Sequence, residues 1–294
     1  MNFNTINVQT IHADWLGRKG LALDILRLDK IHSVVSGNKW FKLKYYLQQT
    51  TAMHKTTVAT FGGAWSNHIV AVAFACKEAG LKSIGIIRGE QPRVLSETIK
   101  NAVEYGMELH FVSREEYRKK ESIIQKFADK NWYWINEGGY GLLGAKGASE
   151  ILSTVDLSGY THIAAAVGTG TMLAGLLLSA GKQKVLGISC MKGNISLEKE
   201  ILHLTGQRPE ASFQIMHDYH FGGYGKHPPR LIEFINEMYS EYQLPLDIIY
   251  TGKTFYAIKD LTKKDYFERG SCVLMIHSGG LQGNSSLPAK VLRF

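Results

Sequence analysis

Lys39 occupies a position that suits a nucleophilic amine. It lies in SGNKWFKLKYYL, residues 36–47, where a Ser-Gly-Asn turn leads into a predicted amphipathic helix and aromatic residues flank the lysine. Because desolvation and the positive end of a helix both lower the pKa of a lysine, its neutral amine could condense with an aldehyde. Lys42 falls on the same helical face and could bind an anion beside it. Taken singly, however, both lysines fit a solvated helix face better.

A glycine turn in AVGTGTMLAG, residues 166–175, has the features of a phosphate site. Backbone N–H groups and two hydroxyls meet at the start of a predicted helix, in Gly168, Thr169, Gly170 and Thr171. A tight connection between strand and helix explains the same residues equally well. A dinucleotide fingerprint would need glycine where this chain has Leu173, so the pattern disfavours dinucleotide binding.

A third cluster, FGGAWSNHIV at residues 61–70, places Ser66, Asn67 and His68 in the first turn of a predicted helix. Helix capping by Ser or Asn is the ordinary explanation for such residues. Capping does not explain the two preceding glycines or the histidine. We therefore treat this turn as a candidate site.

The elements around these clusters alternate between short apolar strands and helical stretches. The predicted strands are TTVATF, KSIGIIR, ELHFV, HIAAAV, KVLGIS and SCVLMIHSGG. This alternation predicts an α/β fold with a parallel sheet covered by helices. Ligands of such folds bind beyond the carboxyl ends of the strands, where the turns at 61–70, 166–175 and 276–283 fall. No linker marks a domain boundary, so we expect any second domain to be inserted into the first.

The composition of the 294-residue chain, 45% hydrophobic and 20% charged, is that of a folded globular protein. The net charge of +8 comes from scattered residues, which disfavours nucleic-acid binding but suits an anionic small molecule. Cys76, Cys190 and Cys272 are far apart and predict reduced core thiols, not a disulfide or a zinc site. The H-x-x-H pair of His217 and His220 lacks further ligands, which disfavours a metal site.

Two stretches bear on membranes and localisation. Residues 157–181 contain no Asp, Glu, Lys or Arg and could cross a bilayer by length alone. The glycine turn inside them instead predicts a buried strand, turn and helix, so we expect no membrane partner. The first twenty residues carry neither the apolar block of a secretory signal nor an arginine-rich amphipathic pattern, so we expect a cytoplasmic protein.

Taken together, these clusters resemble the 1-aminocyclopropane-1-carboxylate deaminase and D-cysteine desulfhydrase family, a branch of the tryptophan synthase β-like pyridoxal phosphate enzymes. The resemblance spans most of the chain and is carried by SGNKWFKLKYYL, GGAWSNH, NEGGYGLLGAKG, GTGTMLAG, GGYG, YTGK and HSGG. It implies two open, twisted, mostly parallel sheets with flanking helices. It also implies a large cofactor-binding domain, residues 1–47 plus 149–294, and a small inserted domain, residues 48–148, with the cofactor in the cleft between them.

The resemblance assigns the cofactor-binding residues. It implies that Lys39 holds pyridoxal 5'-phosphate as a Schiff base and that Asn67 contacts the hydroxyl of the pyridine ring. The turn from Gly168 to Thr171 would hold the phosphate with help from Lys42.

The resemblance also assigns the substrate side of the site. Ser66, Asn67 and His68 would face a small amino-acid substrate, and the serine would bind its carboxylate or act as a nucleophile. Tyr224 and Tyr250 match two active-site tyrosines of the family. Relatives further imply a homodimer.

Two positions depart from the cyclopropane deaminases. Thr251 follows Tyr250 where those deaminases have glutamate, and Ser278 follows His277 where they have leucine. Both positions are more similar to the desulfhydrases, which carry threonine at each. A glutamate near the pyridine nitrogen keeps that atom protonated, whereas a hydroxyl leaves it largely neutral and suits elimination of a good leaving group. Met172 also replaces the threonine usual in the phosphate turn.

We therefore predict a pyridoxal phosphate-dependent lyase that converts D-cysteine to pyruvate, ammonia and sulfide. The alternative is ring opening of 1-aminocyclopropane-1-carboxylate to 2-oxobutyrate and ammonia, for which Ser66, Tyr224 and Tyr250 are the candidate acids or nucleophiles. The sequence leaves open which of these, or Lys39, moves the key proton. A non-catalytic phosphate or nucleotide binding protein would also explain the glycine turn and the charge. Such a protein would be colourless, whereas a Schiff base of pyridoxal phosphate absorbs visible light.

Overall fold

The computed structural model describes residues 5–32, 35–127, 129–206 and 209–294, and within these ranges the chain forms two sheets. The strands are β1 (Val8–Thr10), β2 (Ala22–Arg27), β3 (Thr57–Gly63), β4 (Lys82–Arg88), β5 (Met107–Val112), β6 (Trp132–Ile135), β7 (His162–Val167), β8 (Lys184–Ser189), β9 (Phe213–Met216) and β10 (Cys272–His277).

Helices connect most of these strands. They are α1 (Asp14–Gly17), α2 (Asn38–Ala52), α3 (Asn67–Glu78), α4 (Glu97–Glu104), α5 (Arg114–Tyr117), α6 (Lys120–Lys126), α7 (Leu142–Ala148), α8 (Thr171–Ser179), α9 (Leu197–Thr205), α10 (Pro229–Tyr242) and α11 (Thr251–Lys263).

The larger sheet has the strand order β1-β2-β10-β7-β8-β9, and the smaller sheet has the order β5-β4-β3-β6. All neighbouring strands are parallel except β1, which pairs antiparallel with β2. The predicted α/β class, with two mostly parallel sheets and flanking helices, is therefore confirmed.

The uncharged stretch around the glycine turn is a buried strand and helix. Every residue of β7 is buried, and so is most of α8. Gly170 turns the chain between them in the left-handed conformation, with φ of +82°. None of the helices in the described ranges is both long and apolar enough to span a bilayer.

Two segments join the sheets. Helix α2 belongs to both, because Phe41 packs in the core of the larger sheet whereas Leu43 and Tyr46 pack in the core of the smaller one. The return connection, residues 136–141, is rich in glycines that adopt positive φ. The two links therefore differ, since one is a continuous helix and the other a glycine-rich segment.

Helix α7 lies between α2 and α8 in close backbone contact with both. A Cβ atom at Gly147 would lie 1.9 Å from the backbone oxygen of Phe41. A Cβ atom at Gly175, in α8, would lie 2.6 Å from the backbone oxygen of Ala145. Glycine is thus required at both positions for the three helices to approach this closely.

The strands of the smaller sheet all fall within residues 48–148, as the inserted domain requires. The domain boundaries themselves stay a prediction. Ala145 and Ala148 of α7 pack in the core of the larger sheet. This packing favours a return boundary near Gly141 over one at residue 148.

Candidate active site

A cavity of about 840 Å³ lies at the carboxyl ends of strands from both sheets, where parallel α/β folds bind ligands. Most residues singled out from the sequence line it. They are Lys39, Lys42, Ser66, Asn67, His68, Gly168, Thr169, Gly170, Tyr224, Tyr250 and Ser278. Thr171 and Thr251 are fully buried and are not part of its lining.

Lys39 is positioned by a tight contact between the start of α2 and the segment after β10. Gly37 precedes the helix with φ of +67°, and a Cβ atom there would lie 1.8 Å from the backbone oxygen of Ser278. The N–H of Asn38 donates to that same oxygen at 3.2 Å, and Lys39 Nζ donates to Asn38 Oδ1 at 2.8 Å. Burial lowers the pKa of Lys39 to about 8, opposed in part by the carboxylate of Asp247. The neutral amine is therefore far more abundant than in an ordinary lysine.

Lys42 and the turn before α8 form an end of the cavity suited to an anion. Lys42 is buried, and its Nζ donates to the backbone oxygen of Gly138 at 3.2 Å. Burial, and then the charge of Lys39, lower the pKa of Lys42 well below its usual value. A bound anion would favour the charged form again. Residues 168–170 lead to the N-terminus of α8, whose free backbone N–H groups attract phosphate.

Two polar atoms in the first turn of α3, Asn67 Oδ1 and His68 Nδ1, are buried without a partner among the described residues. Thr60 Oγ1 donates to the backbone oxygen of Ile135 at 2.8 Å, so it accepts from His68 Nε2 at 2.9 Å. This assignment leaves His68 Nδ1 as an acceptor. Burial, and then the two nearby lysines, lower the pKa of His68 well below its usual value, so the ring is neutral.

Tyr224 and Tyr250 meet across the cavity. The Tyr250 hydroxyl donates to the Tyr224 hydroxyl at 3.2 Å, and the rings pack edge to face with centroids 6.1 Å apart. Tyr250 also contacts the phosphate turn, since a Cβ atom at Gly168 would lie 3.6 Å from its ring. Burial, and then Tyr224, raise the pKa of Tyr250 well above its usual value. Tyr250 therefore stays protonated and leaves the Tyr224 proton free for a ligand.

Ser278 is held on the cavity wall by a buried network behind it. His277 Nε2 donates to the backbone oxygen of Pro245 at 2.7 Å, and His277 Nδ1 lies 3.2 Å from Asp29 Oδ1. Arg27 donates two hydrogen bonds to the same carboxylate, at 2.8 and 2.6 Å. Because the side chains of Arg27, Asp29 and His277 are all buried, the network fixes the backbone that carries Ser278.

Thr251 turns its hydroxyl away from the cavity. Thr251 Oγ1 donates to Asp247 Oδ2 at 2.6 Å and accepts the N–H of Asp247 at 2.8 Å. The same carboxylate accepts the N–H groups of Ile249, Tyr250 and Thr251 at 2.8, 2.7 and 2.9 Å. Of the two residues whose hydroxyls were expected near a cofactor ring, only Ser278 is part of the lining. Thr251 instead holds the first turn of α11 against Asp247.

A family model described as pyridoxal-phosphate dependent enzyme matches residues 25–279. The chain belongs to this family. A Thermotoga maritima protein with the provisional name of 1-aminocyclopropane-1-carboxylate deaminase is 32% identical over 90% of both chains. The bifunctional D-cysteine desulfhydrase/1-aminocyclopropane-1-carboxylate deaminase, mitochondrial, of Arabidopsis thaliana is 29% identical over 90% of this chain and 73% of its own.

A solved structure agrees with these relatives. The crystal structure of a 1-aminocyclopropane-1-carboxylate deaminase homologue superposes with a TM-score of 0.80 at 26% identity. It covers 95% of this chain and 90% of that chain. The chain is thus a pyridoxal-phosphate dependent enzyme of the deaminase and desulfhydrase branch that its motifs predict. This assignment replaces the alternative of a non-catalytic phosphate or nucleotide binding protein.

The residues of the cavity fit pyridoxal phosphate, the cofactor of this enzyme family. Lys39 supplies an amine of lowered pKa, and Lys42 is an amine without a carboxylate partner among the described residues, which a bound phosphate would hold in its charged form. The N-terminus of α8 suits a phosphate. Asn67 Oδ1, a buried atom without a described partner, lies in the same cavity and suits a polar group of the pyridine ring.

Two residues of this pyridoxal-phosphate enzyme were missed by the sequence analysis. Lys253 is fully buried, and its Nζ donates to the backbone oxygens of His220 and Gly223 at 3.0 and 2.9 Å, which holds the loop that carries Tyr224. Arg88 ends β4 and lines the cavity. The position of Arg88 at the carboxyl end of a predicted strand was a usable signal, whereas the backbone partners of Lys253 leave no trace in the sequence.

The other candidates from the sequence lie elsewhere. His217 Nε2 pairs with Glu198 Oε1 at 2.7 Å, and His220 Nδ1 accepts the N–H of Gly222 at 2.8 Å. Within the described ranges, no group of three or more His, Cys, Asp and Glu side chains is arranged to hold a metal ion. The three cysteines are free thiols.

Proposed function

We propose that this enzyme is a deaminating lyase that converts D-cysteine and water to pyruvate, ammonia and hydrogen sulfide. The observation that supports this choice is the wall formed by HSGG, where Ser278 lines the cavity and the Thr251 hydroxyl is turned towards Asp247. The two positions that differ from the cyclopropane deaminases, Thr251 and Ser278, carry hydroxyls, so neither brings a carboxylate to the cofactor ring. A neutral pyridine nitrogen is a weaker electron sink, which suits a substrate with a good leaving group.

We assign the cofactor side of the site as follows. Bound pyridoxal phosphate supplies the electron sink that makes the α-proton of an amino acid acidic. Lys39 would hold the cofactor before substrate arrives and, once displaced, remove the α-proton, since its lowered pKa suits a base near neutral pH. Lys42 and residues 168–171 would hold the phosphate, and Asn67 would contact the ring hydroxyl.

On the substrate side, Ser66 and His68 take different partners. Ser66 directly precedes α3, where its hydroxyl and the free N–H groups of the helix suit a carboxylate. His68 Nδ1 can only accept a hydrogen bond, so it suits a substrate N–H group. The Tyr224 hydroxyl accepts a hydrogen bond from Tyr250, so its own proton can be donated to the departing sulfur.

Ring opening of 1-aminocyclopropane-1-carboxylate to 2-oxobutyrate and ammonia is the second candidate function. The name of the Arabidopsis relative carries both activities. This substrate has no α-proton, so its ring must be opened by an acid or a nucleophile. Ser66, Tyr224 and Tyr250 line the cavity and could supply either.

Product assays on the holoenzyme separate the two functions. We expect sulfide and pyruvate in equal amounts from D-cysteine, at a rate at least about tenfold above that of 2-oxobutyrate release from the cyclopropane acid. Lys39→Ala should abolish both reactions. Lys44→Ala is the matched control, because Lys44 lies on the same helix but pairs with Glu150 at 2.7 Å outside the cavity.

Each contrary result has a clear meaning. Faster release of 2-oxobutyrate would replace the desulfhydrase proposal with the deaminase. An active Lys39→Ala variant would overturn the role of the lysine.

A further inference from the structure

The cavity has a second polar wall, formed by the smaller sheet. Arg88 ends β4, Lys120 begins α6, and Glu137 follows β6. All three side chains line the cavity. Arg88 and Glu137 lie at the carboxyl ends of strands of the smaller sheet and Lys120 lies in the connection between β5 and β6, so the smaller sheet builds this wall, whereas the larger sheet builds the phosphate turn.

The geometry of β3 separates Arg88 from the turn that suits the substrate carboxylate. A Cβ atom at Gly62 would lie 2.9 Å from Ser66 Oγ. A Cβ atom at the next residue, Gly63, would lie 3.6 Å from Arg88 Nη2, and Gly63 pairs in register with Arg88. Because successive residues of a strand face opposite sides, Ser66 and Arg88 lie on opposite sides of the end of β3.

Of the two cations in this wall, Lys120 forms an ion pair and Arg88 forms none with the residues that the structure describes. Lys120 Nζ is paired with Glu137 Oε2 at 2.6 Å. Arg88 stacks over the ring of Tyr117 at 5.7 Å, and its guanidinium has no carboxylate within 4.0 Å in the described part of the chain. The cofactor would engage Lys39 and Lys42, so among the described residues of the lining Arg88 is the cation that neither the cofactor nor a neighbouring carboxylate neutralises.

We infer that Arg88 is a specificity-determining residue that binds a second acidic group of the substrate, on the side chain and away from the α-carboxylate. The inference rests on the proposed elimination and names its substrate class. That class comprises alanines whose β-substituent ends in a carboxylate or a similar oxyanion, which the fork of a guanidinium binds through two hydrogen bonds.

The chemistry of such a substrate is the elimination already proposed. The base removes the α-proton, the bond from Cβ to the substituent breaks, and its electron pair leaves with the substituent. Hydrolysis of the remaining three-carbon fragment gives pyruvate and ammonia. D-cysteine, which has no second oxyanion, is turned over without help from Arg88.

Matched esters test this inference in the holoenzyme. O-acetyl-D-serine and O-succinyl-D-serine share the reacting atoms, and the succinyl ester adds a –CH2–COO− group to the acetyl methyl. We expect wild-type kcat/KM to favour the succinyl ester roughly 10- to 100-fold, as a charge-assisted pair of hydrogen bonds provides. Arg88→Gln should remove this preference while acetyl-ester turnover stays within about twofold, and Arg88→Lys should restore part of it. Arg93→Gln, an exposed change outside the cavity, is the control.

Two results would overturn the inference. One is a wild-type enzyme that treats both esters alike, and the other is an Arg88→Gln variant that loses both activities equally. Titrating the visible absorbance of the cofactor with D-aspartate and D-alanine decides the matter without turnover, because only D-aspartate binding should weaken in Arg88→Gln. If D-cysteine and both esters are inert, the proposed function fails, while this titration still tests Arg88.

Discussion

Two glycines with the same φ allow the contact at the start of α2 to be measured. Gly37 and Gly80 both have φ of +67°. A Cβ atom at Gly37 would lie 1.8 Å from the backbone oxygen of Ser278, whereas a Cβ atom at Gly80 would have no atom within 4 Å. Gly80→Ala therefore reports the cost of a positive φ alone. Gly37→Ala adds a collision and the further strain of ψ at −144°, a combination with positive φ that residues other than glycine rarely adopt.

The expected magnitudes follow from these distances. A left-handed conformation costs a residue with a Cβ atom roughly 1–2 kcal/mol, so Gly80→Ala should lower the free energy of unfolding by that amount. At Gly37 the backbone conformation costs about 1–3 kcal/mol and overpacking adds about 1–3 kcal/mol, which gives a total of roughly 2–6 kcal/mol. The collision is with a backbone carbonyl, so Ser278 must move away from Lys39 to relieve it. Pyridoxal phosphate should consequently bind at least about tenfold more weakly to Gly37→Ala only.

Urea unfolding of the apoproteins measures the first effect without stabilisation by bound cofactor. Titration with pyridoxal phosphate, followed by its absorbance, measures the second. Equal losses of unfolding free energy in the two variants, with unchanged cofactor affinity in both, would refute the argument that this contact positions the lysine.

Three further predictions concern individual side chains. In the apoprotein at pH 7, Lys39 should react with an amine-directed reagent roughly 300-fold faster than an ordinary lysine, because its pKa of about 8 enlarges the neutral fraction. The rate should level off above pH 8. Peptide mapping that finds no preference for Lys39 would contradict this. Thr251→Val should lower the free energy of unfolding by about 1–3 kcal/mol and leave the visible spectrum of the bound cofactor unchanged. Ser278→Ala should alter that spectrum. A spectrum that changes in Thr251→Val but not in Ser278→Ala would place Thr251 at the ring. Lys253→Met should reduce kcat about tenfold by releasing the loop of Tyr224, and a double-mutant cycle with Tyr224→Phe should be non-additive; additive losses would separate the two residues.

The sequence predicts six strands from short apolar or β-branched runs that alternate with helical stretches. The six predicted runs correspond to β3, β4, β5, β7, β8 and β10. It misses β2, where Asp24 interrupts the run and finds its partner in the hydroxyl of Tyr160 at 2.7 Å, far away in the chain. It also misses β6, a short aromatic strand whose Trp134 stacks on Phe61 at 5.3 Å between ring centroids. Such strands depend on tertiary partners that local patterns do not contain.

The site follows a similar rule. Motif residues in the segments that follow the strands, such as Lys39 and Asn67 at the starts of helices and Ser278 after β10, all reach the cavity, because the carboxyl ends of parallel strands converge. Thr251 belongs to an equally specific motif, yet it faces Asp247, a residue four positions earlier that no motif marks. The direction of a side chain at the start of a helix depends on its hydrogen-bond partners, and the sequence alone does not reveal them.

The two different links between the sheets have a mechanical consequence. Because α2 is built into both cores and the other link, residues 136–141, is rich in glycine, α2 is the natural axis for any rotation of the smaller sheet. Lys39 lies at the end of that axis, so a rotation would scarcely displace it. Arg88 lies off the axis, so the same rotation would displace it further. We therefore expect the cofactor on Lys39 to keep its position through each turnover, while Arg88 moves with the smaller sheet towards and away from the substrate.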